Sequence, residues 1–438
     1  MSTIRVDLHH PTGPVKAMNA VCNGPLQKGG RYDFTDEFRE MGVPFARLHD
    51  AEYPYGGNQY VDIHCVFPDP DADPTLPQSY NFTCTDKYLL GIIGAGAEVF
   101  YRLGESIDYN ERQLYVHPPK DPHKWAVVCE HIVRHYNEGW ADGFHMNIRY
   151  WEIWNEPDNY AMWSGTPEQF FALYRVTACH LRSCFPHLRI GGYSASGLYA
   201  LNRKEPSPWF RSLIPFMERF FAYITAPETK APLDFFSWHC YAESPEEVAL
   251  HAGYVREMLD RNGLTDAKSI LSEYNNFDSL GERPSLRPAY PAELAATFVM
   301  GQNAPLDMMM YYDMRITTFM NGILHPTLRA YGYERAPAFY TYAMFAALRR
   351  LGTAVSAVSD EPHLYALAAA DGKGKAGLFL SAYGYSGKVT LKIPGASFAR
   401  IRVHALSEGK YRLALASDYW DDYTLSVSDN TVYYIELI

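Results

Sequence analysis

The sequence lacks the spacings that indicate common cofactor and metal sites. Its seven cysteines include no Cys-x-x-Cys pair and no cluster with histidine, and their odd number leaves at least one unpaired. No Gly-x-Gly-x-x-Gly run follows an early strand, as a dinucleotide-binding fold would require. We therefore expect neither a metal nor a nucleotide cofactor.

Long apolar runs are also missing. No stretch approaches the ~18 uninterrupted apolar residues of a membrane span, and the opening MSTIRVDLHH has no apolar segment of signal-peptide length. We expect a cytoplasmic protein with no membrane partner. A secreted form whose leader has been removed is the alternative, and one sequon, Asn81-Phe82-Thr83, is too short a signal to decide for it.

Basic residues are fewer than acidic residues. The chain has 39 Lys plus Arg against 50 Asp plus Glu, a formal net charge of -11, which argues against nucleic acid or anionic membrane as a partner. A neutral ligand is favoured. Aromatic residues are abundant at 15%, and such side chains can line a sugar site, although most of them pack in cores.

Apolar runs of strand length alternate with longer amphipathic stretches, which predicts an α/β fold. Several of the helical stretches open with Ser or Thr followed by Pro and Glu, a chemistry typical of helix starts. Eight β-then-α units favour a closed (β/α)8 TIM barrel over an open doubly wound sheet, which would want the glycine-rich turn. The eight predicted strands are VKAMNAVC, VPFARLHD, AEVFYRLG, IRYWEIWN, LRIGGYS, LDFFSWHCY, KSILSEYN and DMMMYYDM.

The pattern changes near Ser356. From Pro362 onward, short and partly alternating runs are separated by Gly, Asp or Asn turns, which predicts a small all-β, sandwich-like domain. The alternating segment Thr3–Leu8 precedes the first barrel strand, so we expect it to pair with this domain. The predicted division is therefore 15–355 for the barrel and 1–14 plus 356–438 for the β domain, through which the chain could form a homo-oligomer.

Two glutamates stand where predicted strands end. In YWEIWNEPD, Glu156 comes after the apolar part of the run, and Pro157 prevents the strand from continuing. Glu273 follows Ser272 in the predicted seventh strand, KSILSEYN. The carboxyl ends of barrel strands converge on one face, so these two carboxylates are expected to meet there. A helix N-terminal Glu or a surface ion pair is the plainer interpretation of the tripeptide NEP alone.

Further polar residues end the other strands. Taken singly, Arg47 or His239 is more often a structural residue with satisfied hydrogen bonds, but together the set predicts a substrate site. We interpret the following residues as substrate-binding: Arg47, His49, Asp50, Asn155, Trp163, His239, Tyr241 and Tyr312.

Paired carboxylates are the machinery of glycoside hydrolysis, in which one protonates the leaving oxygen and the other attacks the anomeric carbon. We assign Glu156 as acid and base, with a raised pKa, and Asn155 as the holder of a sugar 2-hydroxyl. Glu273 is assigned as the nucleophile, because Arg47 and Tyr241 would keep it ionised.

At these residues the chain resembles glycoside hydrolase family 39, the β-xylosidase and α-L-iduronidase family. The resemblance is carried by EIWNEPD with Trp163 shortly after it, and by FFSWHCY and ILSEYNN in the family's order and spacing. It implies a (β/α)8 barrel with its acid/base and nucleophile on strands four and seven. It also implies an oligosaccharide or glycoside as the substrate.

The chain departs from the family pattern at sugar-binding positions. The family shows Arg-aromatic-His-Gly at strand two, Thr-Glu-Trp-Asn at strand seven and a Trp at strand eight. This chain has Arg47-Leu48-His49-Asp50, Ser272-Glu273-Tyr274-Asn275, and Tyr311 with Tyr312. Because one hydrogen-bonded hydroxyl can decide a substrate, these changes bear on which sugar is bound.

The function predicted from sequence is a retaining glycosidase, exo-acting on a neutral sugar such as a β-xyloside. The alternatives are a family 39 relative acting on an arabinoside or, in endo fashion, on a heteropolysaccharide, and a non-catalytic glycan-binding barrel. A uronic acid is disfavoured because no Lys/Arg cluster beyond Arg47 and Arg315 stands at the strand ends. The region 53–73, rich in aromatic and acidic residues, is predicted to close over the site.

Overall fold

The fold is taken from a computed structural model that describes residues 2–51, 60–108, 111–276, 287–314, 323–327, 332–395 and 398–438. Within these ranges the chain forms an eight-stranded parallel barrel and a nine-stranded sheet. None of the helices in these ranges combines the length and the apolar character that crossing a membrane requires.

Strands and helices both occur up to helix α9 (Ala338–Arg349), and the described residues that follow this helix form strands but no further helix. The strands are β1 (Ser2–Pro14), β2 (Ala17–Cys22), β3 (Leu26–Gln27), β4 (Tyr32–Asp33), β5 (Phe45–Arg47), β6 (Glu98–Leu103), β7 (Tyr150–Ile153), β8 (Arg189–Ala195), β9 (Phe235–Ala242), β10 (Lys268–Asn276), β11 (Met308–Tyr311), β12 (Leu324–Pro326), β13 (Tyr333–Arg335), β14 (Thr353–Ser359), β15 (Leu364–Ala370), β16 (Ala376–Ala382), β17 (Gly387–Lys392), β18 (Arg400–Ser407), β19 (Lys410–Asp418), β20 (Tyr423–Val427) and β21 (Thr431–Leu437). The helices are α1 (Thr35–Glu40), α2 (Ile63–Val66), α3 (Thr83–Gly94), α4 (Pro122–Glu138), α5 (Pro167–Cys184), α6 (Pro208–Thr225), α7 (Pro245–Arg261), α8 (Tyr290–Asn303) and α9 (Ala338–Arg349).

The barrel closes in the order β2, β5, β6, β7, β8, β9, β10, β11, and every neighbouring pair is parallel. These are the eight strands predicted from the apolar runs, so the predicted barrel is confirmed. The strands read as continuous apolar runs because helices cover the outside of the barrel while side chains fill its inside. From here, barrel strands one to eight denote these strands in this order.

Local sequence signals explain where the helices begin. Thr166 accepts a hydrogen bond from the backbone N–H of Gln169, whose side chain accepts in return from the backbone of Thr166. This reciprocal cap satisfies amides that the first turn of α5 leaves free, and Pro167 fits the first helical position. Asp121 caps α4 in a similar way, and α4 ends at Gly139 in a left-handed conformation with φ 77°.

The C-terminal strands form one continuous sheet in the order β19, β18, β21, β16, β15, β14, β1, β17, β20. One face of it carries Tyr365, Leu367 and Phe379, which join the core of the barrel domain next to α8 and α9. The other face encloses a separate apolar core to which strands from both ends of the sheet contribute, so the sheet curls around its own interior. One curled sheet thus takes the place of the two packed sheets of a sandwich.

The N-terminal strand belongs to this sheet. β1 pairs antiparallel with β14, where Val6 faces Ala357, and parallel with β17, where Ile4 faces Leu391. The predicted pairing of Thr3–Leu8 with the C-terminal strands is confirmed. The exact bounds of the two domains stay a prediction, and β14 itself runs across the predicted boundary at residue 355.

Two local expectations differ from the structure. Barrel strand two ends at Arg47, so His49 and Asp50 lie in the connection that follows it. The insertion between Ala51 and Thr85, whose Pro, Asp, Tyr and Gly content predicts a long loop, contains helix α2 and a 3₁₀ turn at Pro77–Ser79 within its described part. Within the region 53–73 that is predicted to close over the site, residues 53–59 lie outside the described residues, as does Arg315.

Candidate active site

The two glutamates predicted to converge do lie close together. Glu156 is the third residue after the end of barrel strand four, and Glu273 lies on barrel strand seven. A carboxylate oxygen of Glu156 lies within 4.8 Å of a carboxylate oxygen of Glu273. Both side chains are largely buried, with exposed fractions of 14% and 7%. The two carboxylates therefore lie together, largely buried, at the carboxyl end of the barrel.

The backbone after barrel strand four is bent to bring Glu156 into the cleft. Trp154 has φ 71° and Glu156 has φ 47°, both in the left-handed region that residues other than Gly rarely adopt. Such strain is kept where the surrounding structure enforces it. Trp154 is held by the hydrogen bond from its indole N–H to the carbonyl of Met162, and the backbone N–H of Glu156 donates to the carbonyl of Ser194. These contacts fix the direction of the Glu156 side chain.

His239 on barrel strand six lies between the two carboxylates. Its Nδ1 is 2.8 Å from Oε1 of Glu156, and its Nε2 is 3.7 Å from Oε2 of Glu273. Burial lowers the pKa of His239, but the charges of Glu273 and Glu156 outweigh burial and raise that pKa above its ordinary value. The ring is therefore hydrogen-bonded to Glu156 and lies near Glu273, and its raised pKa favours the protonated form.

Arg47 connects four strands beneath the carboxylates. Its Nε donates to Oε2 of the fully buried Glu152 at 2.7 Å, and its Nη2 donates to Oδ1 of Asn155 at 2.5 Å and to Oγ of Ser194 at 2.9 Å. Its Nη1 lies 3.4 Å from Oε2 of Glu273. Burial lowers the pKa of Arg47, but the negative charges of Glu152 and Glu273 raise that pKa by more, so the net shift is upward. The guanidinium is thus a permanent charge at the base of the site.

Asn155 is oriented by this arginine. With its side-chain oxygen held by Arg47, the amide presents its NH2 group as a donor. That orientation suits the predicted contact with a sugar hydroxyl, which accepts through its oxygen.

Glu273 accepts a short hydrogen bond from the hydroxyl of Tyr241 on barrel strand six. The contacts expected from Tyr241 and Arg47 are therefore both present. The pKa of Glu273 is nevertheless raised, because burial and the nearby charge of Glu156 outweigh the lowering by His239, Arg47 and Tyr241.

The prediction that the pKa of Glu156 is raised is wrong. Burial raises the pKa of Glu156, but the hydrogen bonds from His239 and from Nδ2 of Asn159, which lies 3.0 Å from Oε2, bring it below the ordinary value. The expected order of the two pKa values is thus reversed. The cause is His239, whose position between the carboxylates was not foreseen from the sequence.

A second polar group lies between barrel strands two and eight. The hydroxyl of Tyr312 donates to Oδ2 of Asp50 at 2.7 Å, and Nε2 of His49 lies 3.5 Å from the same oxygen. The rings of His49 and Tyr312 are 5.9 Å apart. Asp50 reaches this position through a left-handed backbone with φ 51°. These three predicted residues therefore do come together.

Trp163 is not brought into this set. Its indole N–H donates to the carbonyl of Thr166, and its ring packs edge-on against Trp154 at 5.0 Å and against Phe170 at 5.7 Å. The side chain is therefore buried against Trp154 and Phe170, and its predicted contact with the substrate stays a prediction.

Several residues of the site were missed in the sequence. Glu152, Ser194 and Asn159 each contact a predicted residue directly. A signal existed for Glu152, because an acidic residue inside the apolar run YWEI must find a buried partner. For Ser194 and Asn159 no such signal is present.

The barrel and these paired carboxylates define the class of protein, a (β/α)8 barrel with acidic groups at the ends of strands four and seven. The sequence matches the model of glycosyl hydrolases family 39 over residues 3–297, and the chain belongs to that family.

Individual relatives are more distant. The chain is 24% identical over 263 residues to a β-xylosidase from Geobacillus stearothermophilus, covering 53% of this chain and 47% of that one. It thus spans about half the length of this relative. Two solved structures share the fold over the full chain. They are a glucosidase from Croceicoccus marinus (TM-score 0.78, 21% identity, 100% of this chain and 98% of that one) and a monomeric β-xylosidase from Caulobacter crescentus (TM-score 0.74, 15% identity, 100% and 99%).

Replacing Glu152 with Gln is expected to lower the free energy of unfolding by about 3–5 kcal/mol, since the buried charge of Arg47 then loses its nearest acid partner. Denaturant unfolding followed by circular dichroism measures this change. The matched control is Glu98→Gln, which breaks the exposed pair of Glu98 with Arg149 and should cost less than about 1 kcal/mol. Equal, small losses in both variants would contradict the role given to the Arg47–Glu152 pair.

Proposed function

We propose that the protein is a retaining glycoside hydrolase, exo-acting on a neutral sugar such as a β-xyloside. The observation that carries the proposal is the approach of Glu156 and Glu273 to within 4.8 Å between their nearest oxygens. Retaining enzymes hold their carboxyl groups about 5–5.5 Å apart, whereas inverting enzymes need roughly 6.5–9.5 Å to admit a water between them. The short separation therefore favours direct attack by one carboxylate.

In the first step, Glu273 attacks the anomeric carbon while Glu156 gives its proton to the glycosidic oxygen. The bond between the anomeric carbon and that oxygen breaks, the leaving group departs as an alcohol, and the sugar remains as an ester of Glu273. In the second step, Glu156 takes a proton from a water whose oxygen attacks the same carbon. The ester breaks, and Glu273 returns as a carboxylate.

The proton for the first step is stored on the pair of His239 and Glu156. The raised pKa of His239 and the lowered pKa of Glu156 favour this proton on His239 and the carboxylate form of Glu156. A transfer across the 2.8 Å hydrogen bond to Glu156 gives the acid that the reaction needs and a neutral imidazole. The number of protons in the site is unchanged, so the low pKa of Glu156 in the free site is compatible with its acid role.

The charges of the site support a neutral sugar. Arg47, the arginine beside both carboxylates, is already paired with the buried Glu152, so it is not available to bind the carboxylate of a uronic acid. Similarity to a β-xylosidase supports a xyloside as the first substrate to test. An arabinoside or an endo-acting mode on a heteropolysaccharide remains the alternative within the same chemistry.

The proposed roles of Glu156 and Glu273 predict different losses of activity when each is replaced by Ala. Glu273→Ala should abolish turnover of every glycoside, because no other group forms the ester. Glu156→Ala should lose ~10²- to 10⁴-fold on an ordinary xyloside. It should keep part of its rate on a dinitrophenyl xyloside, whose leaving group needs no proton, and azide should raise that rate. Steady-state kinetics of the two variants measure these effects.

Glu98→Ala, on the exposed surface at the start of barrel strand three, serves as the control and should keep the wild-type rate. Azide rescue of Glu273→Ala with product of opposite anomeric configuration, together with a dead Glu156→Ala, would reverse the two roles. Full activity of both variants would overturn the proposed function.

The hydrogen bond from the hydroxyl of Tyr241 to Glu273 should affect how kcat/KM depends on pH. It lowers the pKa of Glu273, so Tyr241→Phe should raise that pKa and move the acidic limb of the kcat/KM profile to higher pH. A suitable control is Tyr365→Phe, because the hydroxyl of Tyr365 also bonds a glutamate, Glu246, but at the contact between α7 and the C-terminal sheet. If both variants gave the wild-type profile, Glu273 would not be the group that must ionise.

A further inference from the structure

Two large aromatic side chains are exposed beside Glu156. Tyr160 is 82% exposed and follows Asn159, the residue that donates to Glu156. Trp209 is 42% exposed and lies in the first turn of α6, which follows barrel strand five. Exposed aromatic rings that are fixed in place at the rim of a cleft are typical of binding surfaces.

Trp209 is attached directly to the segment that carries Glu156. Its indole N–H donates to the backbone carbonyl of Asp158 at 3.0 Å. On its other side the ring contacts Phe210 at 5.3 Å, and Phe210 in turn contacts Tyr199 at 4.6 Å. The N–H of Trp209 is therefore already satisfied, and the exposed part of the indole offers an apolar face held in one orientation.

Tyr160 is fixed through its backbone. Its carbonyl accepts a hydrogen bond from Nε2 of Gln113 at 2.7 Å, and the backbone N–H of Asn159 donates to the carbonyl of Glu156. The segment from Glu156 to Tyr160 is thus a rigid turn, which presents the acid on the inside and the Tyr160 side chain to solvent.

The proposed role of Glu156 as the acid indicates which part of a substrate contacts the turn from Glu156 to Tyr160. A group that protonates the glycosidic oxygen must contact the leaving group, so the surface next to Glu156 faces the leaving-group side of the substrate. The flat C–H faces of a pyranose ring pack well on an aromatic ring, while its hydroxyls stay in water.

We propose that Trp209 and Tyr160 form a binding surface for a leaving group that is itself a sugar chain. This inference rests on the proposed function and narrows its substrate class to oligosaccharides, as opposed to glycosides of small alcohols. The two rings hold sugar units beyond the bond that is cleaved, and they play no part in binding the sugar that forms the ester with Glu273.

The test compares xylotriose with xylosyl fluoride, whose leaving group is a single atom. Trp209→Ala and Tyr160→Ala should each lower kcat/KM for xylotriose by about 2- to 10-fold, the usual contribution of one ring contact. Both should leave kcat/KM for the fluoride unchanged. Trp209→Phe keeps a ring without the N–H and should retain most of the activity on xylotriose.

The matched control is Trp420→Ala in the C-terminal sheet domain, where the side chain is 56% exposed, and it should change neither rate. Thermal unfolding of each variant checks that the exposed substitutions leave the fold intact. Equal losses on both substrates, or no loss on xylotriose, would overturn the leaving-group surface while the proposed function stands. A wild-type protein that hydrolyses neither substrate would overturn the proposed function, and the surface with it.

Discussion

The buried ion pair between Arg47 and Glu152 is the interaction on which the rest of the site depends. Two charges without water are costly unless each finds its partner, so this pair fixes barrel strands two and four relative to one another. From that point Arg47 reaches Asn155, Ser194 and Glu273. A neutral side chain at position 47 would leave the buried Glu152 without a cationic partner and Asn155 without its orienting contact, and a neutral side chain at position 152 would remove the nearest acid partner of Arg47. The pair thus holds Arg47 where it can contact both Asn155 and Glu273.

The second interaction that shapes the site is the contact of His239 with the two glutamates, which affects their pKa values. Two carboxylates this close repel one another, and the ring of His239 between them lowers the pKa of each. The same ring lies within one hydrogen bond of Glu156. Under the proposed function, this contact lets His239 supply a proton to the acid while the nucleophile beside it stays ionised. In the proposed reaction, loss of the charge on Glu273 when the ester forms leaves Glu156 as the negative group beside the water.

The barrel was predictable because its strands are covered on both faces and so read as uninterrupted apolar runs. The convergence of Glu156 and Glu273 followed from the geometry of parallel barrels, in which strand ends meet. The ends of individual strands were less predictable, since the left-handed conformations of Asp50 and Trp154 have no signal in the sequence. The partner of Glu152 and the pKa order of the two glutamates could not be predicted either. Both depend on residues about 80 to 105 positions away, brought close only by closure of the barrel.

The most direct test of the proposed double displacement is the configuration of the first product. Proton NMR of the earliest moments of hydrolysis of an aryl β-xyloside resolves the two anomers before they equilibrate. Attack by Glu273 followed by attack of water inverts the anomeric carbon twice, so the account predicts β-xylose as the first product. First appearance of α-xylose would mean a single displacement by water, and it would contradict the role given to Glu273.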